Sequence, residues 1–234
     1  MNQRRDKGRK PQLIIAIDGP SGAGKSTLSK ALATTLGYTN IDTGAMYRAV
    51  ALLATRQHTA LDDSVALQQL CRQMQFEFRR VADSDHVFIN GEDVSDAIRT
   101  PEVSLLTSKV SACPAVREEL VRVQQQMGRL GGVVLEGRDI GTVVFPQAEI
   151  KFFLSASAEE RGRRRFDELR AKGIDVDLQQ TIAEVEARDA ADSSREHAPL
   201  RRAADAIDID STIMDIQQVL ALMLETVRAR MAQA

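Results

Sequence analysis

Residues 14–32 read IIAIDGPSGAGKSTLSKAL. An apolar run bounded by glycine has the texture of a buried parallel strand, which places a strand over 12–18. A helix is expected over 24–36, with Gly37 set to end it. Between them, Gly19 to Ser26 spell G-P-S-G-A-G-K-S, matching G-x-x-x-x-G-K-[ST] in the strand-to-helix context that this motif requires. The glycines let the backbone coil so that successive N–H groups point inward, and the helix adds its positive end at the same spot. Gly19, Pro20, Ser21, Gly22, Ala23, Gly24, Lys25, Ser26 and Thr27 thus read as a cradle for a nucleoside triphosphate. Lys25 is placed to reach the β- and γ-phosphates, and the Ser26 hydroxyl to ligate Mg²⁺.

Working outward, a second helix is expected after IDTG, carrying AMYRAVALLATRQ, and Asp62, Asp63 and Ser64 offer caps for a third, VALQQLCRQM. FEFRRV, HVFIN and EDVSDAIRT then predict a small antiparallel sheet, turned at Asn90-Gly91 and inserted into an otherwise βα chain. Thr100-Pro101-Glu102 caps one helix and Pro114 opens another, ending at Gly131-Gly132. VVLEG and IKFFLSA are further buried strands, helices follow at 158–172 and 178–192, and AIDID is a last strand before a terminal helix from Thr212. Strands alternating with helices mean an α/β fold, a parallel sheet flanked by helices.

The 234 residues carry a formal net charge of −2, so the chain lacks the strongly basic footprint of a nucleic-acid binder. Residues 1–11 are basic and without an apolar h-region, and are expected to form a disordered tail rather than a secretory signal. No apolar run is long enough to span a membrane. Cys71 and Cys113 have no metal-ligand spacing and read as reduced thiols of a cytoplasmic protein. His58, His86 and His197 lie among polar residues with no catalytic motif nearby. No heptad seam is visible, which leans towards a monomer.

The triphosphate's partner is sought among the arginines. A GTPase would carry Asn-Lys-x-Asp, and a motor ATPase an apolar strand ending in Asp-Glu near the cradle; neither is present. In RDAADSSR, Arg188, Asp192 and Arg195 share one helical face, provided that the helix persists to Arg195. Arg161, Arg164 and Arg165 share another. Phosphoryl transfer runs through a loose, charge-rich transition state, so its catalysis is positioning plus positive charge. An acceptor that is itself a phosphate is already an ionised nucleophile and needs no general base. These features fit a nucleoside monophosphate kinase; a kinase for UMP, AMP or shikimate and a nucleotide-sensing module stay open at this point.

DGPSGAGKST, IDTGAMYR, EGRDIGTVVFP, RDAADSSR and IDIDST, in this order and spacing, resemble the bacterial cytidylate kinase family from about Leu13 to the terminal helix. The resemblance implies ATP-dependent phosphorylation of CMP and dCMP, with Mg²⁺ accompanying ATP and no tightly bound cofactor. It implies a single kinase domain over 12–234, with a monophosphate-binding insert at about 64–113 and a short lid at about 158–173. Lys25, Arg48, Arg138 and Arg195 would be catalytic, the three arginines holding the acceptor phosphate. Thr43 and Tyr47 would line the same pocket, Arg188 and Asp192 would bind the ribose hydroxyls, and Ser108, Arg117 and Asp139 would read cytosine. Arg161, Arg164 and Arg165 would belong to the lid over ATP. Glu136 stands where other members have aspartate, and Thr43 where some have serine.

Overall fold

The computed structural model of the chain describes residues 12–82, 84–171 and 173–233; the tail expected at 1–11 lies outside them. β1 (Ile14–Asp18) occupies the centre of a five-stranded parallel sheet of order β2-β6-β1-β7-β8. The other strands are β2 (Thr39–Asp42), β6 (Val133–Gly137), β7 (Ile150–Ser155) and β8 (Ile207–Asp210). Alternation along the strands separates two cores. Ile15, Ile17 and Val134 face α1 (Lys25–Leu36) and α8 (Ile216–Gln233), whereas Ala16, Val133 and Leu135 face α2 (Thr43–Arg56) and α5 (Pro114–Gly128). With both faces covered, the central strands read as continuous apolar runs, which is why β1, β6 and β7 are legible in the sequence.

The insert contains α3 (Ser64–Arg72), β3 (Phe76–Val81), β4 (Ser84–Ile89) and β5 (Glu92–Asp93), the strands forming an antiparallel sheet of order β3-β4-β5. Asn90 and Gly91, with φ of 52° and 85°, make the tight turn expected of that pair. The stretch 92–100 supplies only two strand residues; a 3₁₀ turn (Ala97–Arg99) follows before α4 (Pro101–Ala112). Towards the carboxyl end, α6 (Ala158–Ala171) packs along α7 (Leu178–Ser193), so closely at Gly162 that a Cβ there would lie 2.4 Å from Ile182 Cγ1.

One strand was not expected, and two expectations need correcting. Thr39–Asp42 is a strand, paired with β6 from Thr39↔Val133 to Asp42↔Glu136. The terminal helix begins at Ile216, four residues after Thr212. α7 ends at Ser193, so Arg195 lies beyond it and does not extend a helical face. Cys71 is buried, Cys113 half-buried, and both are free thiols. No helix among the described residues is long and apolar enough to cross a membrane.

Candidate active site

The site gathers at the carboxyl ends of β1, β2 and β6, where ligands of open α/β sheets bind. β1 runs directly into the glycine loop. Gly19 has a φ of 147°, and a Cβ on it would sit 2.0 Å from the Leu154 carbonyl oxygen, so the chain can leave the sheet there only as glycine. Gly24 caps α1 in the left-handed region without any side-chain hydrogen bond. The first amides of α1 therefore have no side-chain acceptor, and the helix dipole reinforces a positive site. Lys25, 6% exposed, donates from Nζ to the Pro20 carbonyl at 2.6 Å. Burial and the neighbouring Arg138 push its ammonium down to about 7.

Ser26 Oγ donates to Glu136 Oε2 at 2.8 Å, and Ser29 Oγ reaches Oε1 at 3.4 Å. Glu136 is pushed up to about 7 by burial and by the charge of Asp42, its register partner on β2. The backbone oxygen of Glu136 accepts from Thr43 Oγ1 at 2.6 Å. Asp42 itself caps α2 by accepting from Ala45 N and pairs with Arg48 at 2.7 Å. The short β2 thus brings Asp42, Thr43 and Arg48 to the carboxyl end of β6, where Glu136 connects them to Ser26. Arg48 Nε is a buried donor without a partner among the described residues.

Asp192 is 3% exposed, accepts from Arg138 Nε at 2.8 Å and forms an ion pair with Arg195 Nη2 at 2.5 Å. Arg188, an exposed residue of α7, stands close to this cluster; partial desolvation by its neighbours and then the charge of Arg138 push its guanidinium below its usual range. Beside this cluster lies an ion pair between Arg117 and Asp139, each side chain 8% exposed. The Arg117 guanidinium also stands 5.7 Å from the centre of the Tyr47 ring, whose hydroxyl burial pushes up to about 12. Burial raises the Asp139 carboxyl, against the opposing pull of Arg117.

Some expected residues are placed differently. Ser108 is exposed on α4, and it is Ser111, one turn further, that meets the site. Its carbonyl accepts from Arg117 Nη1 at 3.3 Å and its hydroxyl from Arg195 Nη2 at 3.2 Å. The Arg161, Arg164 and Arg165 trio divides. Arg161 is a buried strut, donating to Ala156 O at 2.8 Å and to Ser21 O in the glycine loop at 3.1 Å, and pairing with Asp189 at 2.5 Å. Arg164 binds Ser211 O at 2.7 Å, and the Ser211 hydroxyl donates to Ala23 O at 3.3 Å. Arg165 pairs with Glu168 at 2.9 Å within its own helix. Sequence reasoning also missed Asp18, Asp189 and Ser211. The one signal for Asp18 is a charge at the end of a strand that is otherwise apolar.

The strut carries a testable consequence. Gly22 has a φ of 78°, and a Cβ there would lie 3.0 Å from Arg161 Cβ and 3.2 Å from Arg161 O. Gly22→Ala should raise the dissociation constant for ATP about tenfold, from left-handed strain of roughly 1–2 kcal/mol. Binding of CMP should stay within about twofold; calorimetry with each nucleotide checks both.

This arrangement offers two adjoining anion sites, one of backbone amides and Lys25, the other of guanidinium groups fixed by Asp42, Asp139 and Asp192. Among protein families, a model described as "Cytidylate kinase" matches residues 15–229. The cytidylate kinase of Syntrophotalea carbinolica is 66% identical over 219 residues, covering 94% of this chain and 93% of that one. The cytidylate kinase of Bacillus subtilis is 48% identical over 219 residues, covering 94% and 98%. Among solved structures, an uncharacterized protein from Eubacterium ventriosum superposes with a TM-score of 0.50 at 12% identity, over 94% of this chain and 99% of that one, a likeness of fold alone.

Proposed function

The chain belongs to the cytidylate kinase family, and on that footing we propose how its residues divide the work. It is a nucleoside monophosphate kinase that moves the γ-phosphoryl group of ATP to CMP, giving ADP and CDP. The glycine loop would hold the β- and γ-phosphates, with Lys25 following the migrating charge. Arg48, Arg138 and Arg195 would hold the CMP phosphate in line with it. That phosphate is an ionised nucleophile, so no general base is needed, and its negative charge answers the excess of arginine in the pocket.

Cytosine would lie against the Arg117–Asp139 pair. Its exocyclic amine is a donor where uracil has an acceptor, and the buried Asp139 carboxylate would accept from that amine. This pair, with Tyr47 beneath it, is the observation that best supports a pyrimidine amine as the recognised group. dCMP would be accepted as well, and Arg188 with Asp192 would meet the ribose. Asp192 already receives two arginines, which leaves it only part of its acceptor capacity for a hydroxyl.

Mg²⁺ is the metal that this chemistry calls for, and the residues fit it. Ser26 and Glu136 put hard oxygen donors 2.8 Å apart beside the phosphate cradle. No group of three or more His, Cys, Asp or Glu side chains among the described residues could hold a metal alone. Mg²⁺ usually keeps several of its waters and takes substrate phosphates as ligands, so one or two protein oxygens are enough to place it. When bound with ATP, it would supply charge neutralisation at the β- and γ-oxygens. Water must be kept out, so we take the insert at 64–113 and the segment at 158–173 as the parts that close over the substrates. The enzyme is proposed to work as a cytoplasmic monomer.

The test is initial-rate ADP release with CMP, dCMP, UMP and AMP side by side. CMP and dCMP should turn over, while kcat/KM for UMP should be lower by about 10²-fold or more, since uracil leaves Asp139 facing an acceptor. Equal rates with CMP and UMP would refute the assignment of Asp139.

A further inference from the structure

Asp18 ends β1 immediately before Gly19, yet its carboxylate serves neither anion site directly. Oδ1 accepts from the Ile140 N–H at 2.8 Å and Oδ2 from the Gly141 N–H at 2.7 Å, across 122 and 123 residues of sequence. These two amides open a single π-helical turn (Ile140–Val144) that follows Arg138 and Asp139. The turn has no side-chain cap from Asp139. Within the turn, Val143 N and Val144 N donate to Asp139 O at 2.8 and 3.2 Å, and Phe145 N to Ile140 O at 2.7 Å, while its far end is held by Gln125 Nε2, which donates to Val144 O at 3.0 Å. Asp18 is therefore the side chain that fastens the start of the turn to the sheet.

The carboxylate is closely boxed. It is 3% exposed, and a Cβ on Gly141 would lie 3.3 Å from its Oδ2 and 3.0 Å from Lys151 Cδ. Lys151, from β7, spends its ammonium on Pro146 O at 2.6 Å and on Asp205 at 2.8 Å. Asp139 lies near enough to raise the Asp18 carboxyl and Lys25 near enough to lower it, with burial the dominant influence. A charge is costly in such a place. What a carboxylate offers in return is two acceptor oxygens on one rigid group; an asparagine has one.

The geometry points to Asp18 as a positioning residue for the acceptor site: a single carboxylate, continuous with the phosphate loop, holds the backbone from which Arg138 and Asp139 project. The donor and acceptor sites are then registered to each other through this side chain, in addition to the Ser26–Glu136 hydrogen bond. In-line transfer needs that registry, because a displacement of about 1 Å can cost about 10²-fold in rate. This inference rests on the reading of Arg138 and Asp139 as the groups that grip CMP.

Asp18→Asn keeps the size and removes one acceptor. It should lower kcat about 10²-fold and raise KM for CMP about tenfold or more, while the dissociation constant for ADP, measured by calorimetry, stays within about twofold. Gly141→Ala, which crowds the same carboxylate without removing it, should show the same split in milder form, and keeps the test available if Asp18→Asn folds poorly. A purely structural role would lower the melting temperature of both variants and leave the kinetic constants of the folded enzyme unchanged; that result overturns the inference. So does an equal loss of ADP affinity, which would make Asp18 an organiser of the phosphate loop. Wild-type enzyme unable to phosphorylate CMP would instead refute the underlying assignment.

Discussion

Lys25→Met should lower kcat on the order of 10³-fold, leave CMP affinity within about twofold, and leave the melting temperature equal to or above that of the wild type. The rate loss follows from position. The ammonium sits at the mouth of α1 where the migrating phosphoryl group would pass, and one preorganised donor aimed at developing charge is worth about 10²–10³-fold. The thermal result follows from the sign of the shift. Burial and Arg138 push Lys25 down from 10.5 to about 7, so between those values the folded chain binds this proton less readily than the unfolded chain. Stability therefore rises with pH through that window, and below it the charged lysine stays a fixed cost. Methionine has a similar reach and no charge, so it removes that cost along with the catalysis. Lys25 is held by Pro20 O at 2.6 Å, a neutral partner that compensates little of its burial. A catalyst that destabilises its own resting fold is expected where charge must be ready for a substrate. Steady-state ADP release, CMP calorimetry and thermal melting test the three parts separately. A melting temperature well below wild type would show that Lys25 supports the fold rather than burdening it.

The phosphate loop was legible because every requirement for it is local: a buried strand, glycines where the backbone must turn through positive φ, and a helix opening on a lysine. The arginines were legible as a class but not as individuals. Arg161 looks like a surface charge on a helix, yet Gly162 lets α6 approach α7 and turns Arg161 inward to Ser21 and Asp189. Arg195 lies past the end of α7 and reaches the site through Asp192 and Ser111 instead of along a helical face. β2 was hidden because TNID is short and apolar only at Ile41; it is a strand only because β6 offers it a backbone ladder, a partner 94 residues away. The same distance hides Asp18. Nothing near it in sequence needs two acceptors, and the amides that do belong to a π-helical turn that no periodicity announces. Local chemistry is read from sequence, whereas the pieces that register one site against the other are set by tertiary contact.

Asp192→Asn should be the most damaging exchange in the acceptor site, in both stability and rate. The carboxylate is the shared counter-charge of Arg138 and Arg195, with Arg188 close by. Burial alone would raise it, and the three arginines reverse that and hold it below the usual aspartate range. A depressed carboxyl contributes stability that is present above its unfolded pKa and lost as pH falls through its folded one. At neutral pH the amide forfeits that contribution and leaves guanidinium groups facing one another. Removing one partner of a buried pair costs about 3–5 kcal/mol. At roughly 2–4 °C per kcal/mol for a chain of this size, the melting temperature should fall on the order of 10 °C. kcat/KM for CMP should fall by about 10²-fold or more, because Arg138 and Arg195 lose the group that aims them. Two further signs separate this account from simple loss of packing. The gap in melting temperature between variant and wild type should narrow as pH is lowered through the depressed pKa of Asp192, since the wild-type carboxyl then becomes neutral too. Added phosphate should also raise the melting temperature of the variant more than that of the wild type, because an anion bound among the arginines restores the missing negative charge. If phosphate stabilised the two proteins equally, the arginines would not be converging on one anion site, and their assignment as the grip on the CMP phosphate would fall with that result.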